Sequence, residues 1–280
     1  MKIFLTGGSG FIGRRFIKSA LSNGHFIYAV SRNRKFVNKK NLIWLIGEVD
    51  SDWKKYMKKS DVLVHLAAIS DQESQKKNSI KILSFNLEKS FKMILKAIDC
   101  KCKNFIIAST SSEYLNNGKC KSKGLSVKST RGFSSMYSLS KIVFSDLIKY
   151  LSKKINVNFT IMRIFPTYGV GENKNRLYPT LKKFAKQGKN LKIYNPFEVR
   201  DFTNVDYVAK VLVDVCENKP KKKFSIFHIS SNDTKSIKDF STYFWKKFNA
   251  KGSLKFKPSS KKYYRHVSEL KSNWNLRNEK

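Results

Sequence analysis

Short apolar runs alternate with amphipathic stretches along roughly the first 165 residues of the chain. Apolar runs bounded by turn residues occur at 2–6, 26–31, 42–46, 61–68, 104–108 and 159–165. Between them, apolar residues recur at helical spacing over 11–23, 51–59, 79–100 and 135–153. This alternation predicts an α/β fold, a doubly wound parallel sheet with helices on both faces.

After residue 166, prolines and glycines interrupt the pattern, and the elements predicted there are shorter. Helices are predicted near 177–187 and 205–217. An apolar run at 224–229 predicts a further strand of the sheet, and the very basic tail at 235–280 is predicted to be helical in part.

No Pro- or Gly-rich linker divides the chain, and no internal repeat is visible. We therefore expect a doubly wound domain at 1–165 that packs directly against a smaller C-terminal region at 166–280. The two are predicted to be interleaved, because residues of about 198–230 complete the sheet of the first.

The composition is that of a globular protein, with 41% hydrophobic and 13% aromatic residues among 280. No apolar run approaches the roughly 20 residues of a membrane-spanning helix. The N-terminus turns glycine-rich before the core of a signal peptide could form. We therefore expect a cytoplasmic protein that does not associate with membranes.

The formal net charge of +37 indicates a surface that attracts anions. Only ten of the 57 basic residues are arginines, and the lysines are spread along the chain among Asn and Ser. The sequence contains no zinc finger, basic region with heptads or aromatic RNA-binding motif, so no specific nucleic-acid partner is expected. Cys100 and Cys102 lack the second pair or the histidines of a zinc site, so no metal site is expected.

A glycine-rich turn follows the first predicted strand and opens the first predicted helix. It reads Thr6-Gly7-Gly8-Ser9-Gly10-Phe11-Ile12-Gly13. Glycines at this spacing keep the turn tight and admit a pyrophosphate to the backbone, while N–H groups of the helix N-terminus meet its negative charge. In this strand–turn–helix context, the motif predicts dinucleotide binding by Gly7, Gly10, Phe11, Ile12 and Gly13.

The end of the second predicted strand distinguishes the two nicotinamide cofactors. NAD binding favours a carboxylate there for the ribose 2′-hydroxyl, but the chain reads Val30-Ser31-Arg32-Asn33-Arg34. Ser31 and Arg32 could instead hold a 2′-phosphate through charge-assisted hydrogen bonds, and Arg14 could add a second cation. NADP(H) is therefore favoured and NAD(H) stays possible. The alternative is that Arg32 and Arg34 are ordinary loop charges.

Tyr137 and Lys141 stand four residues apart on the helix predicted at 135–153, so they share one face. A tyrosine with a pKa near 10 is a poor acid–base catalyst at neutral pH, and we expect the neighbouring lysine cation to lower that pKa. Downstream of a glycine-rich turn, the pair predicts acid–base chemistry beside a bound cofactor.

A run of hydroxyl side chains, Ser109-Thr110-Ser111-Ser112, follows the strand predicted at 104–108. Ligands of open α/β sheets bind beyond the carboxyl ends of the strands, so this run lies where chemistry is expected. Taken alone, a Ser/Thr run after a strand is usually only a turn.

Together these motifs resemble the extended short-chain dehydrogenase/reductase family, which comprises NAD-dependent epimerases, dehydratases and reductases of nucleotide-linked sugars. The resemblance extends to His65-Leu66-Ala67-Ala68, to Asn86, to the segment 163–169 and to Arg200-Asp201-Phe202. It implies a Rossmann fold at 1–165 with a mainly substrate-binding region at 166–280, a bound nicotinamide cofactor and a nucleotide-diphosphate sugar as substrate. It also implies a homodimer formed through the helices near 86–100 and 135–150.

The resemblance also implies the catalytic residues. Tyr137 is the proton donor and acceptor, and Lys141 assists it while binding the nicotinamide ribose. Thr110, four residues before Tyr114, is their hydroxyl partner, with Ser109 and Ser111 as alternatives.

Further residues that match the family pattern are expected to contact ligands. The expected cofactor contacts after the fourth strand are Leu66, Ala67 and Ala68. The expected substrate contacts are Ser111, Arg176 and Arg200, of which Arg200 holds the diphosphate.

One departure from the family pattern is informative. The 4,6-dehydratases carry Asp and Glu directly after the catalytic threonine, where this chain has Ser111 and Ser112. Dehydration is therefore not expected. The segment 163–202 is most similar to that of NDP-4-keto-6-deoxysugar 4-reductases of the CDP-abequose synthase type.

The sequence leaves three hypotheses. The first is NADPH-dependent reduction of the C4 ketone of a nucleotide-linked 4-keto-6-deoxysugar, in the biosynthesis of deoxysugars or surface polysaccharides. The second is an NDP-hexose 4-epimerase, in which the same residues act with a tightly bound NAD. The third is a cofactor- or nucleic-acid-binding protein without catalysis, which the intact Tyr137–Lys141 pair disfavours.

Overall fold

The computed structural model describes residues 1–70, 79–115, 124–258 and 265–274. Its main sheet consists of the parallel strands β1 (Lys2–Thr6), β2 (Phe26–Ser31), β3 (Leu42–Ile46), β4 (Val62–His65), β5 (Asn104–Thr110), β6 (Asn158–Ile164) and β11 (Phe224–Ile229). Their order is β3-β2-β1-β4-β5-β6-β11, so the winding reverses between β1 and β4. The predicted doubly wound sheet is confirmed, and the reversal leaves a crevice at the carboxyl ends of β1 and β4.

Helices cover both faces of this sheet. The described α-helices are α1 (Phe11–Ser22), α2 (Lys54–Met57), α3 (Ser79–Leu83), α4 (Ser90–Asp99), α5 (Met136–Lys154), α6 (Leu177–Lys186), α7 (Val205–Glu217) and α8 (Ile237–Lys247). Along β1, Ile3 and Leu5 belong to a core with α1 and α7, whereas Phe4 belongs to a core with α4 and α5. Because both faces are covered, the strands read as continuous apolar runs.

The helix predicted over 79–100 is interrupted between α3 and α4. There the segment Ser84–Lys89 forms a π-helical turn that carries the buried Asn86. The Asn86 amide bonds to the backbone N–H and C=O of Ile69 and donates to the Ser140 hydroxyl. Turns of this kind are frequent at functional sites. The spacing of apolar residues does not predict this π-helical turn, because the contacts that mark it are those of one polar side chain, Asn86.

Two further predicted elements are shorter than their patterns. The helix predicted at 51–59 is reduced to the four residues of α2, and the strand predicted at 61–68 ends at His65. The strand ends there because the backbone of Ala67 passes directly beneath Gly7 in the glycine-rich turn.

The C-terminal region contains small sheets that the sequence pattern did not predict. The pairs are β7 (Thr167–Tyr168) with β10 (Thr203–Asn204) and β8 (Leu191–Tyr194) with β13 (Leu254–Lys257), while β9 (Val199–Asp201) lies between β12 (Thr234–Ser236) and β14 (Arg265–His266). The helices predicted near 177–187 and 205–217 are confirmed as α6 and α7. Within the tail, the predicted helical part is confirmed as α8. The strands β13 and β14 were not predicted, because segments of two to four residues leave no periodic signal.

The carboxyl ends of β1, β4 and β5 meet at one edge of the main sheet, where Thr6, His65 and Thr110 stand on neighbouring strands. In the described ranges, no helix has both the length and the apolar character that a bilayer crossing requires.

Candidate active site

The glycine-rich turn is packed so closely that two of its glycines admit no side chain. Gly7 has a φ of 77°, and a Cβ there would lie 2.6 Å from the backbone nitrogen of Ala67. A Cβ on Gly13 would lie 2.1 Å from the carbonyl oxygen of Gly7. The glycines therefore let β1, α1 and the chain after β4 come into direct contact, as the sequence predicted.

The N-terminus of α1 opens beside this turn without a side chain to cap it. Gly10 occupies the capping position and contributes no side-chain acceptor, and Phe11 and Ile12 form the first turn of the helix. Backbone N–H groups at such a terminus attract anions. Uncapped N–H groups beside a bare glycine backbone fit the pyrophosphate of a dinucleotide. Leu66, Ala67 and Ala68 follow β4 on the other side of Gly7.

Ser31 and Arg32 stand at the carboxyl end of β2, where a ribose 2′ substituent is expected. Ser31 is buried, and its hydroxyl accepts a hydrogen bond of 3.1 Å from the backbone N–H of Asn33. Arg32 is exposed. Arg14 uses one of its guanidinium donors within the protein, because its Nε donates to the carbonyl of Ser9 at 2.7 Å.

Three buried side chains next to the glycine-rich turn, those of Thr6, His65 and Ser90, are hydrogen-bonded in a row. The Nδ1 atom of His65 lies 2.7 Å from the Thr6 hydroxyl, and its Nε2 atom lies 3.1 Å from the Ser90 hydroxyl. Ser90 donates to the carbonyl of Phe85 in the π turn, so it accepts from His65 Nε2–H, and Nδ1 then accepts from Thr6. Burial, aided by the charge of Lys141, lowers the pKa of His65 to about 3, so the imidazole is neutral.

Thr110 and Tyr137 are brought together at the end of β5. The backbone N–H of Ser112 donates to the Thr110 hydroxyl at 3.1 Å, which leaves the hydroxyl proton for the phenolic oxygen of Tyr137. Tyr137 lies in the first turn of α5, which begins with a capping box between Ser135 and Ser138. The cap fixes where the helix starts and thereby where the phenol lies.

The expected lowering of the tyrosine pKa is wrong. Burial raises the pKa of the Tyr137 phenol to about 12, and the hydrogen bond from Thr110 offsets this only in part. The ammonium of Lys141 shares the helix face but donates to the carbonyl of Ala108 at 2.9 Å. Burial also lowers the pKa of Lys141 to about 8, against the opposing influence of Glu113.

Among the neighbouring hydroxyls, the structure singles out Thr110 as the partner of Tyr137. Ser109 donates to the carboxylate of Glu113, which is fully buried and also accepts from Ser145 at 3.1 Å. The guanidinium of Arg163 completes this cluster, with Nη2 3.0 Å from Glu113 Oε2. Ser111 is buried, and its backbone carbonyl accepts a hydrogen bond from the ring of His266.

Arg200, expected to bind the diphosphate, lies on β9 with its guanidinium 2.9 Å from the carboxylate of Glu198 and 38% of its side chain exposed. The next two residues anchor the strand. Asp201 is buried and accepts a hydrogen bond from Ser230, and the ring of Phe202 stacks on Phe240 at 3.9 Å. The anchored strand holds Arg200 at the surface of the C-terminal region.

Arg176 occupies the N-cap position of α6 without a capping hydrogen bond from its side chain. It is exposed, and its charge acts to lower the pKa of Tyr137. The loop before it contains Glu172, which the sequence did not single out. Burial raises the pKa of Glu172 to about 7, and its Oε2 atom has no hydrogen-bond partner among the described residues.

His266 is another residue that sequence reasoning missed. It lies on β14, far along the chain from the hydroxyl run that it contacts, so no local motif identifies it. Across the described ranges, no group of three or more His, Cys, Asp and Glu side chains is arranged to hold a metal ion.

Comparison with known proteins gives the family. Residues 3–229 match the NAD dependent epimerase/dehydratase family. Over 245 residues the chain is 29% identical to the bifunctional polymyxin resistance protein ArnA of Wigglesworthia glossinidia brevipalpis, a match that covers 79% of this chain but only 37% of that protein. It is 22% identical over 255 residues to CDP-abequose synthase of Salmonella typhimurium, covering 86% of this chain and 79% of that one.

Among solved structures, the UDP-glucuronic acid 4-epimerase of Bacillus cereus, in complex with UDP-glucuronic acid and NAD, is similar to this fold. The TM-score is 0.83 at 22% identity, and the match covers 97% of this chain and 91% of that chain. This similarity is one of fold. Because the family match spans most of the sequence, the chain belongs to the NAD dependent epimerase/dehydratase family.

Proposed function

We propose that the protein catalyses NADPH-dependent reduction of the C4 ketone of a nucleotide-linked 4-keto-6-deoxysugar, in deoxysugar or surface polysaccharide biosynthesis. The observation that carries this proposal is the contact between Thr110 and Tyr137 at the carboxyl end of β5. The Tyr137 side chain is partly buried and accepts a hydrogen bond from Thr110, and burial raises the pKa of its phenol to about 12. A group that holds its proton at neutral pH is suited to give that proton to a nascent alkoxide.

Tyr137 on α5 supplies the proton, and Thr110 at the end of β5 assists it. When bound, the nicotinamide cofactor supplies a hydride to C4 of the sugar. The Tyr137 phenol gives its proton to the alkoxide oxygen, and the Thr110 hydroxyl, which donates to the phenolic oxygen, stabilises the phenolate that this leaves. Lys141 stands one turn along α5, and its ammonium, which donates to the carbonyl of Ala108, would turn toward the phenolate to stabilise it. Solvent then returns a proton to Tyr137.

The three residues that follow Thr110 argue against elimination chemistry. Ser111 and Ser112 occupy the positions at which dehydratases carry Asp and Glu, and the next residue, Glu113, is buried in its ion pair with Arg163. Both oxygens of this buried carboxylate are occupied by contacts with Arg163, Ser109 and Ser145, so it is not free to reach a proton of the substrate. The site therefore favours redox chemistry at the ketone over loss of water.

The preference for NADPH rests on the end of β2. Ser31 and the exposed Arg32 offer a hydroxyl and a guanidinium at the ribose 2′ position, and no carboxylate stands between 31 and 34. A guanidinium binds a phosphate through charge-assisted hydrogen bonds and gains nothing comparable from a hydroxyl.

The experiment is to incubate the protein with NADPH and a panel of UDP-, GDP-, CDP- and dTDP-linked 4-keto-6-deoxysugars while following the loss of NADPH absorbance. We expect oxidation of NADPH with at least one sugar. Tyr137→Phe should lower the rate by about 10²-fold or more while NADPH affinity is retained. Turnover of an NDP-hexose without added NADPH, by a protein that retains NAD through purification, would contradict the proposal.

An NDP-hexose 4-epimerase is the second candidate. It is favoured by the fold similarity to the Bacillus cereus epimerase, over nearly the whole chain. Epimerisation would use the same Thr110, Tyr137 and Lys141, but it begins by removing a proton from the C4 hydroxyl. It therefore requires a phenolate, which burial of the Tyr137 phenol disfavours.

A further inference from the structure

A row of basic side chains crosses the small C-terminal sheet. Arg200 on the central strand β9 is paired with Lys235 on β12 and with His266 on β14. Residues directly opposite each other on neighbouring strands project from the same face of a sheet. Lys235, Arg200 and His266 therefore form one line, whose outer end is neutralised in part by the contact of Lys235 with Asp233.

The inner end of the row reaches the catalytic hydroxyls. The His266 ring N–H donates to the backbone carbonyl of Ser111, the residue directly after Thr110. The imidazole also packs against Phe165, with ring centroids 5.5 Å apart. One side chain thus connects the strand that carries Arg200 to the turn that orients the Thr110 hydroxyl toward Tyr137.

We propose that His266 is a positioning residue, which couples a sugar-linked diphosphate held at Arg200 to the alignment of Thr110 with Tyr137. The inference rests on the proposed function only in taking a nucleotide-diphosphate sugar as the ligand. It assigns to the C-terminal strand a part in catalysis that reaches beyond the binding of the diphosphate.

The charges around His266 make this coupling measurable. Burial first, and then the charge of Arg200, lower the pKa of the imidazole to about 4. Glu198 on β9 is paired with Arg200. A diphosphate bound to Arg200 cancels the charge that opposes protonation, so the pKa of His266 must rise on binding.

Other titratable groups near His266 contribute little to this linkage. His228 on β11 also packs against the Phe165 ring, and burial lowers its pKa to about 3, so it stays neutral. Lys235 and Asp233 lie beyond Arg200, at the outer end of the row.

Calorimetry of sugar-nucleotide binding tests the linkage without any turnover. The probes are UDP-glucose, GDP-mannose and dTDP-glucose, because both phosphates of a sugar nucleotide are esterified and do not titrate near pH 5, unlike a terminal phosphate, and because their bases do not titrate there either, unlike cytosine. Titrations at about pH 5 in two buffers of different ionisation enthalpy give the number of protons taken up, roughly a few tenths per ligand bound.

We expect this uptake to disappear in His266→Gln and to persist in Lys235→Gln, the matched control on the other side of Arg200. Uptake that is absent from the wild type, or unchanged in His266→Gln, overturns the role of His266. Failure of every sugar nucleotide to bind instead contradicts the proposed function itself, so the two failures are distinguishable.

Kinetics with the sugar that is turned over test the positioning role. His266→Phe keeps the ring against Phe165 but loses the hydrogen bond to Ser111, so kcat should fall by about tenfold while sugar-nucleotide affinity stays within about threefold. His266→Gln restores a donor and should recover part of kcat. An unchanged kcat in His266→Phe overturns the inference, as does a loss confined to affinity.

Discussion

At the scale of single residues, the chemistry of the candidate active site depends on whether each side chain is protonated at neutral pH. Burial keeps Tyr137 a phenol and leaves Lys141 with a pKa of about 8. The prediction of a lowered tyrosine pKa was wrong because shared helix spacing does not fix where an ammonium points. The ammonium donates to the Ala108 carbonyl, and burial then dominates the phenol.

These protonation states predict how the rate depends on pH. Because burial lowers the pKa of Lys141, its ammonium is lost as pH rises through about 8, while the phenol with a pKa of about 12 stays protonated. We therefore expect kcat/KM for ketone reduction, which reports the free enzyme, to be level below about pH 7 and to fall above about pH 8. A rate that instead increases across this range indicates that a phenolate is required, and would contradict proton donation by Tyr137.

Arg32 is expected to decide the cofactor preference. Loss of its charge-assisted bonds in Arg32→Ala should weaken NADPH binding by about 10- to 100-fold and leave NADH binding nearly unchanged. Arg34→Ala, two residues farther along the same exposed loop, is the control and should have little effect. Fluorescence titration of the bound nicotinamide measures both affinities. Equal losses for the two cofactors, or tighter binding of NADH by the wild type, would show that Arg32 is only a loop charge.

Some residues of the site are predictable from sequence and others are not, for a physical reason. Tyr137 and Lys141 are close because of helix geometry, and Thr110 directly follows the last residues of a recognisable strand. His266 comes from a distant segment, and only the folded chain shows that it meets Ser111. Likewise, only the folded chain shows that the Oε2 atom of Glu172 is enclosed without a hydrogen-bond partner among the described residues.

At the scale of elements, a buried ion pair joins the pieces that surround the site. Glu113 ends the short helical turn after β5, Arg163 lies on β6 and Ser145 lies on α5. Arg163 also donates to the Tyr114 hydroxyl at 2.7 Å and to the carbonyl of Val127 at 3.0 Å. The cluster therefore connects the catalytic turn, the sheet and the helix that carries Tyr137.

Removing one partner of this pair should be costly. Glu113→Gln leaves the Arg163 guanidinium buried without its counter-charge, so the free energy of unfolding should fall by about 3 kcal/mol. Arg131→Gln is the control, since that side chain is 32% exposed and lies 3.9 Å from the same carboxylate, and it should cost less than about 1 kcal/mol. Urea unfolding measures both, and equal losses would contradict a central role for the Glu113–Arg163 pair.

Elements with long apolar patterns were predictable, and those defined by polar contacts were not. The strands of the main sheet and helices α1, α5, α6 and α7 follow directly from apolar spacing. The π turn at Ser84–Lys89 is marked by the contacts of Asn86, and β9, β12 and β14 are too short to form a pattern. The strand that carries Arg200 therefore appears only in the folded chain.

At the scale of the whole molecule, the reversal of the strand order between β1 and β4 places helices on both faces of the sheet, because connections between parallel strands are right-handed. The division at residue 165 and the homodimer stay predictions. The helices expected at the dimer contact carry exposed apolar side chains, with Leu95 on α4 40% exposed and Tyr150 on α5 60% exposed. Such side chains suit a partner surface.

The measurement that most directly separates net reduction from epimerisation follows the transferred hydrogen. NADPH deuterated on either face of the nicotinamide C4 is incubated with the active 4-keto sugar nucleotide, and the product is analysed by mass spectrometry and proton NMR. We predict that one of the two cofactors delivers deuterium to C4 of the sugar, one atom for each NADPH oxidised. Product formed without deuterium and without consumption of NADPH would contradict the reductase assignment and indicate a cofactor recycled within the protein.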